Sequence, residues 1–201
     1  MAAATNPTTG AGTGITIGVL ALQGAYTAHQ RMLHDMGVAT RQVRLPQDLQ
    51  GLDALVLPGG ESTTLLHFLQ QGDFWPALKD FAATHPCLGT CAGLILLAQH
   101  VQPDQPSLGL LDVTVQRNAY GRQRDSYIHI GPSELPGGLL EMVFIRAPRI
   151  VQWQPEAQVL AWAGGSPVLV RQGRVIGCAF HPELGSDTRV HQLLVDACLT
   201  P

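Results

Sequence analysis

The chain has 201 residues, 45% of them apolar and 13% charged, which suits one well-buried α/β domain and argues against disorder. Its net charge is −3, Lys79 is the only lysine, and no Lys/Arg run occurs, so neither a nucleic-acid nor an anionic-membrane partner is expected. No apolar stretch approaches the ~18 residues of a membrane span.

Residues 1–14 (MAAATNPTTGAGTG) are small, polar and uncharged. They lack the basic start and apolar centre of a secretory signal and read as a mobile tail before a single domain over 15–201. Ile15–Ala21 is a short apolar run, as expected of a strand covered on both faces. Tyr26–Met36 reads as a helix stopped by Gly37, Ala39–Leu45 as a second strand, and Ala54–Leu57 as a third ended by Pro58-Gly59-Gly60. Helices are predicted over Glu61–Gln70 and Phe74–Thr84, a strand over Pro86–Thr90, and a helix over Ala92–His100. This alternation gives βαβ units and a parallel sheet.

The second half changes character. Leu111–Val115, Tyr127–Ile130, Met142–Ile145, Val159–Ala163, Pro167–Arg171 and Val175–Phe180 are short and strand-like. Gly and Pro turns separate them, which favours hairpins. Asp187–Leu199 closes the chain as a helix with Ser186 or Asp187 as N-cap. The expected architecture is one three-layer domain with a mixed sheet.

Gly89-Thr90-Cys91-Ala92-Gly93 falls where a strand pattern meets a helix pattern. A G-x-nucleophile-x-G bend presents its central side chain, and glycines on either side remove atoms that would collide there. A helix start aims free N–H groups at the sulfur, and such sites lower a cysteine pKa to about 3.5–7.5. Cys87, Cys178 and Cys198 read as structural. Their spacings fit neither a disulfide framework nor a metal site, and reduced thiols in a cytoplasm are expected.

Phe180-His181-Pro182-Glu183 follows the last strand pattern. His181 can take and return a proton, and Glu183 can fix its tautomer from the other ring nitrogen. The seven other histidines offer no comparable pairing in sequence. His29, His34, His67, His85, His100 and His191 lie on helical or loop patterns without partnered carboxylates, and His129 has no assignment.

Leu57-Pro58-Gly59-Gly60-Glu61-Ser62-Thr63 is a second strand-to-helix junction. The backbone of Gly59 or Gly60, with the Ala92 N–H, can form an oxyanion hole. The plain structural alternative is a glycine turn with Ser62 or Thr63 capping the next helix. Arg117 and Arg146 end strand-like segments, where either can pair with a substrate carboxylate.

GVLALQGA (18–25), LPGGEST (57–63), GTCAG (89–93), LGLLDVTVQRNAYGRQ (108–123), FIRAP (144–148) and FHPEL (180–184) occur in this order. Together they resemble the glutaminase subunits of pyridoxal 5'-phosphate synthase, which are class I glutamine amidotransferases. RNAYGRQ and FIRAP point to that vitamin B6 branch within the class. The resemblance implies a three-layer, flavodoxin-like α/β fold with a mixed, mainly parallel central sheet, and hydrolysis of L-glutamine to glutamate and ammonia.

By that resemblance Cys91, His181 and Glu183 form the triad, and Gly60, Glu61, Ser62, Arg117, Ile145 and Arg146 line the glutamine site. It implies no metal or other cofactor. It also implies a partner, the synthase subunit, in an assembly of twelve copies of each chain. In that family the glutaminase is weak until the synthase docks and completes the oxyanion hole. Two positions depart from the family pattern. Ala28 stands where it carries Glu before the histidine, and Ile128 follows Ser126-Tyr127 where it reads Ser-Phe-Glu.

Overall fold

The computed structural model describes residues 14–117 and 126–200. The predicted tail lies outside them except for Gly14, as do residues 118–123 of the RNAYGRQ segment. In the first half the chain runs β1 (Thr16–Leu20), α1 (Tyr26–Asp35), β2 (Ala39–Val43), a 3-10 turn at Pro46–Leu49, β3 (Ala54–Leu57), α2 (Ser62–Leu69), α3 (Phe74–Thr84), β4 (Cys87–Thr90) and α4 (Ala92–Leu97). In the second half it runs β5 (Ala98–Gln102), β6 (Leu111–Gln116), β7 (Tyr127–Gly131), β8 (Leu140–Phe144), β9 (Arg149–Trp153), β10 (Gln158–Ala163), β11 (Ser166–Gln172), β12 (Val175–Cys178), a 3-10 turn at Pro182–Leu184 and α5 (Arg189–Leu199).

The seven-stranded central sheet has the order β10-β11-β12-β4-β3-β1-β2. Strands β12, β4, β3, β1 and β2 run parallel, and β10 and β11 add an antiparallel edge. The fold is therefore α/β with a mixed, mainly parallel sheet. The step from β1 to β2 and the step from β3 to β4 move in opposite directions across it. Right-handed crossovers then place α1 on one face and α2–α3 on the other. All four residues of β3, Ala54–Leu57, are buried, as covered faces require.

Helix α1 ends as the sequence predicts. Gly37 has φ +76, its N–H donates to His34 O at 2.8 Å, and the Val38 N–H reaches Leu33 O at 2.9 Å. This is the paired C-terminal closure that a left-handed glycine permits. Three expectations change. The helix predicted over Ala92–His100 stops at Leu97, and β5 follows it, pairing parallel with β6. Every residue of α4 is buried, so no polar stripe marks where the helix gives way to strand. Strand β9, pairing antiparallel with β6, is absent from the sequence-based expectation; it follows Pro148 and only Ile150 is buried, so no alternation reveals it.

The third change concerns α5. It begins at Arg189 after Thr188, and the Asp187 carboxylate pairs with the Arg189 guanidinium at 2.6 Å. Among the described residues no helix is long and apolar enough to cross a membrane.

Candidate active site

The cleft forms at the carboxyl ends of the parallel strands, where the direction of strand order reverses. Open α/β sheets leave a crevice at that switch point. Gly24 and Ala25 follow β1, Gly59 to Ser62 follow β3, Cys91 follows β4, and His181 lies three residues beyond β12. Arg117, Ile145, Arg146 and Leu184 complete most of the wall. The space is about 230 Å³, sized for a small metabolite.

Cys91 sits at φ +48, ψ −99, outside the usual backbone regions of a side-chain-bearing residue. Its N–H is held by Cys178 O at 2.9 Å. The glycine frame is needed on both sides. A Cβ on Gly93 would lie 1.9 Å from Leu57 O, and one on Gly89 would lie 2.6 Å from the Gly93 backbone. Burial pushes the thiol of Cys87 up to about 12, that of Cys198 up to about 11, and that of Cys178 well above the ordinary value. Those three are protonated at neutral pH and unsuited to attack.

His181 donates a backbone N–H to Val143 O at 2.8 Å, which ties it to β8. Its Nδ1 lies 2.7 Å from Glu183 Oε1, and both residues are buried. That leaves Nε2 for the Cys91 thiol, which borders the same cleft. Burial alone lowers the His181 pKa, but the hydrogen bonds and charges of Cys91 and Glu183 overcome it and raise it to about 10.

The glycine loop presses against the same ring. A Cβ on Gly59 would stand 2.4 Å from His181 Cε1 and 3.2 Å from Cys91 Cβ. The loop is held from β1's end. Ala25 N donates to Gly59 O at 3.3 Å, and the Gln23 amide pairs with the Glu61 backbone, giving to its carbonyl at 3.0 Å and accepting from its N–H at 3.3 Å. Ala92, beside Cys91, is almost fully buried.

Glu61, rather than Ser62 or Thr63, caps α2. Its carboxylate accepts from the backbone N–H of Thr63 at 3.3 Å and of Thr64 at 2.7 Å, and from both their hydroxyls. Burial works against its charge, but these bonds carry its pKa down to about 2. Ser62 Oγ donates to Gln105 Oε1 at 3.2 Å, and Arg117 donates to that same oxygen. Arg146 has φ +44 at the rim. Neither Ala28 nor Ile128 borders the cleft; Ile128 is exposed on β7.

Comparison with known proteins follows the same lines. Residues 19–200 match the SNO glutamine amidotransferase family. The chain belongs to that family. It is 50% identical over 190 residues to a Deinococcus radiodurans protein named pyridoxal 5'-phosphate synthase subunit PdxT, covering 90% of this chain and 96% of that one. A Koribacter versatilis protein of the same name is 51% identical over 180 residues, covering 89% and 93%. A crystal structure of a glutamine amidotransferase superposes with a TM-score of 0.84 at 40% identity, covering 92% of this chain and 99% of that one. A GMP synthase component from Thermoplasma acidophilum shares the fold at a TM-score of 0.70 and 18% identity, covering 92% and 94%.

Three residues of this amidotransferase are not legible in its sequence. Gln105 lies between two prolines in a segment with no periodic pattern, yet it is buried and joins Ser62 to Arg117. His29 and His191 read in sequence as lacking a carboxylate partner, and for His29 that is corrected. His29 is fully buried, with Nε2 at 3.3 Å from Glu183 Oε2 and Nδ1 at 2.8 Å from His191 Nε2. The two histidines are 162 positions apart, so only the packing of α1 against α5 reveals the pair.

Proposed function

We propose that this amidotransferase is the glutaminase subunit of a pyridoxal 5'-phosphate synthase, hydrolysing L-glutamine to L-glutamate and ammonia with Cys91 as nucleophile. The observation that carries this reading is the buried His181–Glu183 pair at 2.7 Å, set against the elbow cysteine in one small cleft. The names of the PdxT relatives, which cover nearly the whole chain, support the pathway.

In the proposed cycle the Cys91 sulfur attacks the side-chain amide carbon of glutamine, and the thiol proton resides on His181. The carbonyl oxygen gains charge and is met by backbone N–H groups at Ala92 and at Gly59 or Gly60. His181 then gives its proton to the leaving nitrogen, ammonia departs, and a glutamyl thioester remains. Water, deprotonated by His181, attacks the thioester. Glutamate leaves, and the proton returns to the sulfur. Glu183 keeps the imidazole oriented and stabilises its charged form. No metal or redox step enters.

Arg117 and Arg146 are suited to the substrate's α-carboxylate, with Ile145 as apolar wall. Gly60, Glu61 and Ser62 offer backbone and hydroxyl contacts, since the Glu61 carboxylate is engaged in its cap. The reading extends to residues 15–201 as one glutaminase domain behind a tail, working in the cytoplasm. Its partner is the synthase subunit, twelve copies of each, which receives the ammonia and settles the Gly59-Gly60 loop on docking.

The experiment is glutamate release by the complex with the synthase. Cys91→Ala should abolish it, and an electrophilic glutamine analogue should label Cys91 in the parent chain. Retained activity in Cys91→Ala would remove Cys91 from its role.

A further inference from the structure

The wall of the cleft is backed by a buried amide that the proposed cycle leaves unused. Gln105 is 8% exposed, and its Oε1 accepts from Ser62 Oγ at 3.2 Å and from Arg117 Nη1. Ser62 and Arg117 line the cleft; Gln105 does not. The segment that carries it is held on both sides. The Arg117 N–H donates to Gln102 O at 2.7 Å, and the Leu108 N–H donates to Leu96 O at 2.7 Å. Among the described residues, Gln105 Nε2 has no hydrogen-bond partner. That orphaned donor is a cost a hydrocarbon side chain would avoid, so packing alone gives no reason for an amide here.

We propose that Gln105 is a specificity-determining residue: by accepting the Ser62 hydroxyl hydrogen, it leaves Ser62 Oγ as an acceptor for the α-ammonium of the substrate, beside the Arg117 guanidinium that takes the α-carboxylate. This rests on the reading of the cleft as a glutamine site.

The orientation of the amide follows from Arg117. A guanidinium only donates, so the amide atom that faces it is the oxygen. Turning the amide over would set its NH2 against Nη1, donor against donor, in a buried place. With Oε1 fixed in this way, Ser62 cannot accept from Gln105 and donates to it. A hydroxyl has one hydrogen. Once that hydrogen is committed, Ser62 Oγ can only accept from a group that enters the cleft.

The two contacts are neighbours because one oxygen joins them. Ser62 Oγ and Arg117 Nη1 lie within about 6 Å of each other, the span of two hydrogen bonds. That suits two charged groups borne on one carbon. Arg117 and Arg146 attract the carboxylate and repel the ammonium, which leaves the ammonium the Ser62 side. The rival for it in the wall is the Glu61 carboxylate. That group already accepts from the backbone N–H and the hydroxyl of both Thr63 and Thr64.

The test compares KM for L-glutamine with Ki for its desamino analogue glutaramate, which keeps the carboxylate and the amide but lacks the ammonium. Both are measured in the full chain in complex with the synthase. The parent should hold L-glutamine at least about tenfold better, since a hydrogen bond to a charged group is worth that much. Ser62→Ala should lose most of this preference. In Gln105→Leu the freed hydroxyl can donate as well as accept, so KM should rise more than Ki and the preference should shrink roughly threefold or more. Gln105→Glu keeps an oxygen of the same reach and should keep the preference. Equal rises of KM and Ki in Gln105→Leu, or loss of the preference in Gln105→Glu, overturns the proposal. Should Gln105→Leu not fold, the parent and Ser62→Ala decide. Lost preference in Ser62→Ala supports the proposal; a parent without preference, or Ser62→Ala with the parental one, overturns it. Glutamate release by Cys91→Ala would instead defeat the glutaminase reading itself.

Discussion

Cys91 and Arg146 are the two non-glycine residues with positive φ among those described, at +48 and +44, and both border the same cleft. A left-handed backbone costs a side-chain-bearing residue roughly 1–2 kcal/mol. The two sites of strain thus flank the space where substrate is proposed to react, as expected where geometry is held for function.

Arg146→Gly should relieve one of them. We expect the chain to gain about 1 kcal/mol of stability while KM for glutamine rises about tenfold or more. Urea unfolding and steady-state kinetics with the synthase check both halves. A stabilised variant with parental KM would place Arg146 outside the substrate contacts.

Gly59→Ala tests the contact between the loop and the His181 ring. The new methyl would meet His181 Cε1 at 2.4 Å, and that ring is held by Glu183. Ring or loop must give way by a good fraction of an ångström, and misplacement on that scale costs about 100-fold in rate. Thermal unfolding should change far less than kcat. Full activity would show that the loop retreats freely.

Gln105→Leu probes the support behind Arg117. Ser62 and Arg117 lose their common acceptor, and a hydrogen bond to a charged group is worth about 1.5–3 kcal/mol. KM should rise by at least about tenfold while kcat falls less. If kcat falls with KM unchanged, Gln105 serves the reaction rather than the binding of substrate.

Stability should peak near pH 6.5. Below that value unfolded His29 and His191 take up protons that the folded core refuses, so stability falls as pH drops. His191, lowered from 6.5 to about 4, alone contributes about 3 kcal/mol to that loss. His181 works oppositely. Its pKa is raised from 6.5 to about 10, so its contribution is complete below 6.5 and disappears as pH climbs toward 10. Urea midpoints across pH 4–10 should fall on both sides, and His191→Phe should flatten the acid side only. An unchanged acid slope would mean that His191 is protonated in the folded chain.

The sequence by itself determined the local events. Apolar runs bounded by glycines marked β1 and β3, Gly37 marked the end of α1, and the spacing of Gly89, Cys91 and Gly93 marked the elbow. Each is legible because its cause lies within a few neighbouring residues: a chain covered on both faces, a left-handed turn, a collision between two glycine positions. His181 and Glu183 were legible for the same reason, being two residues apart.

Tertiary structure alone decided the rest. The all-buried α4 carried no stripe to show where β5 takes over, and β9 was too exposed to show alternation. Gln105 acquires its role only when β5 and β6 bring Arg117 beside it. His29 looked like any helical histidine until α1 and α5 packed together and brought it within 3.3 Å of the Glu183 carboxylate. A buried polar group is defined by what desolvates it and what satisfies it, and both come from residues distant in the chain. Cys91 could therefore be named from five residues, whereas the chain of side chains behind it could not.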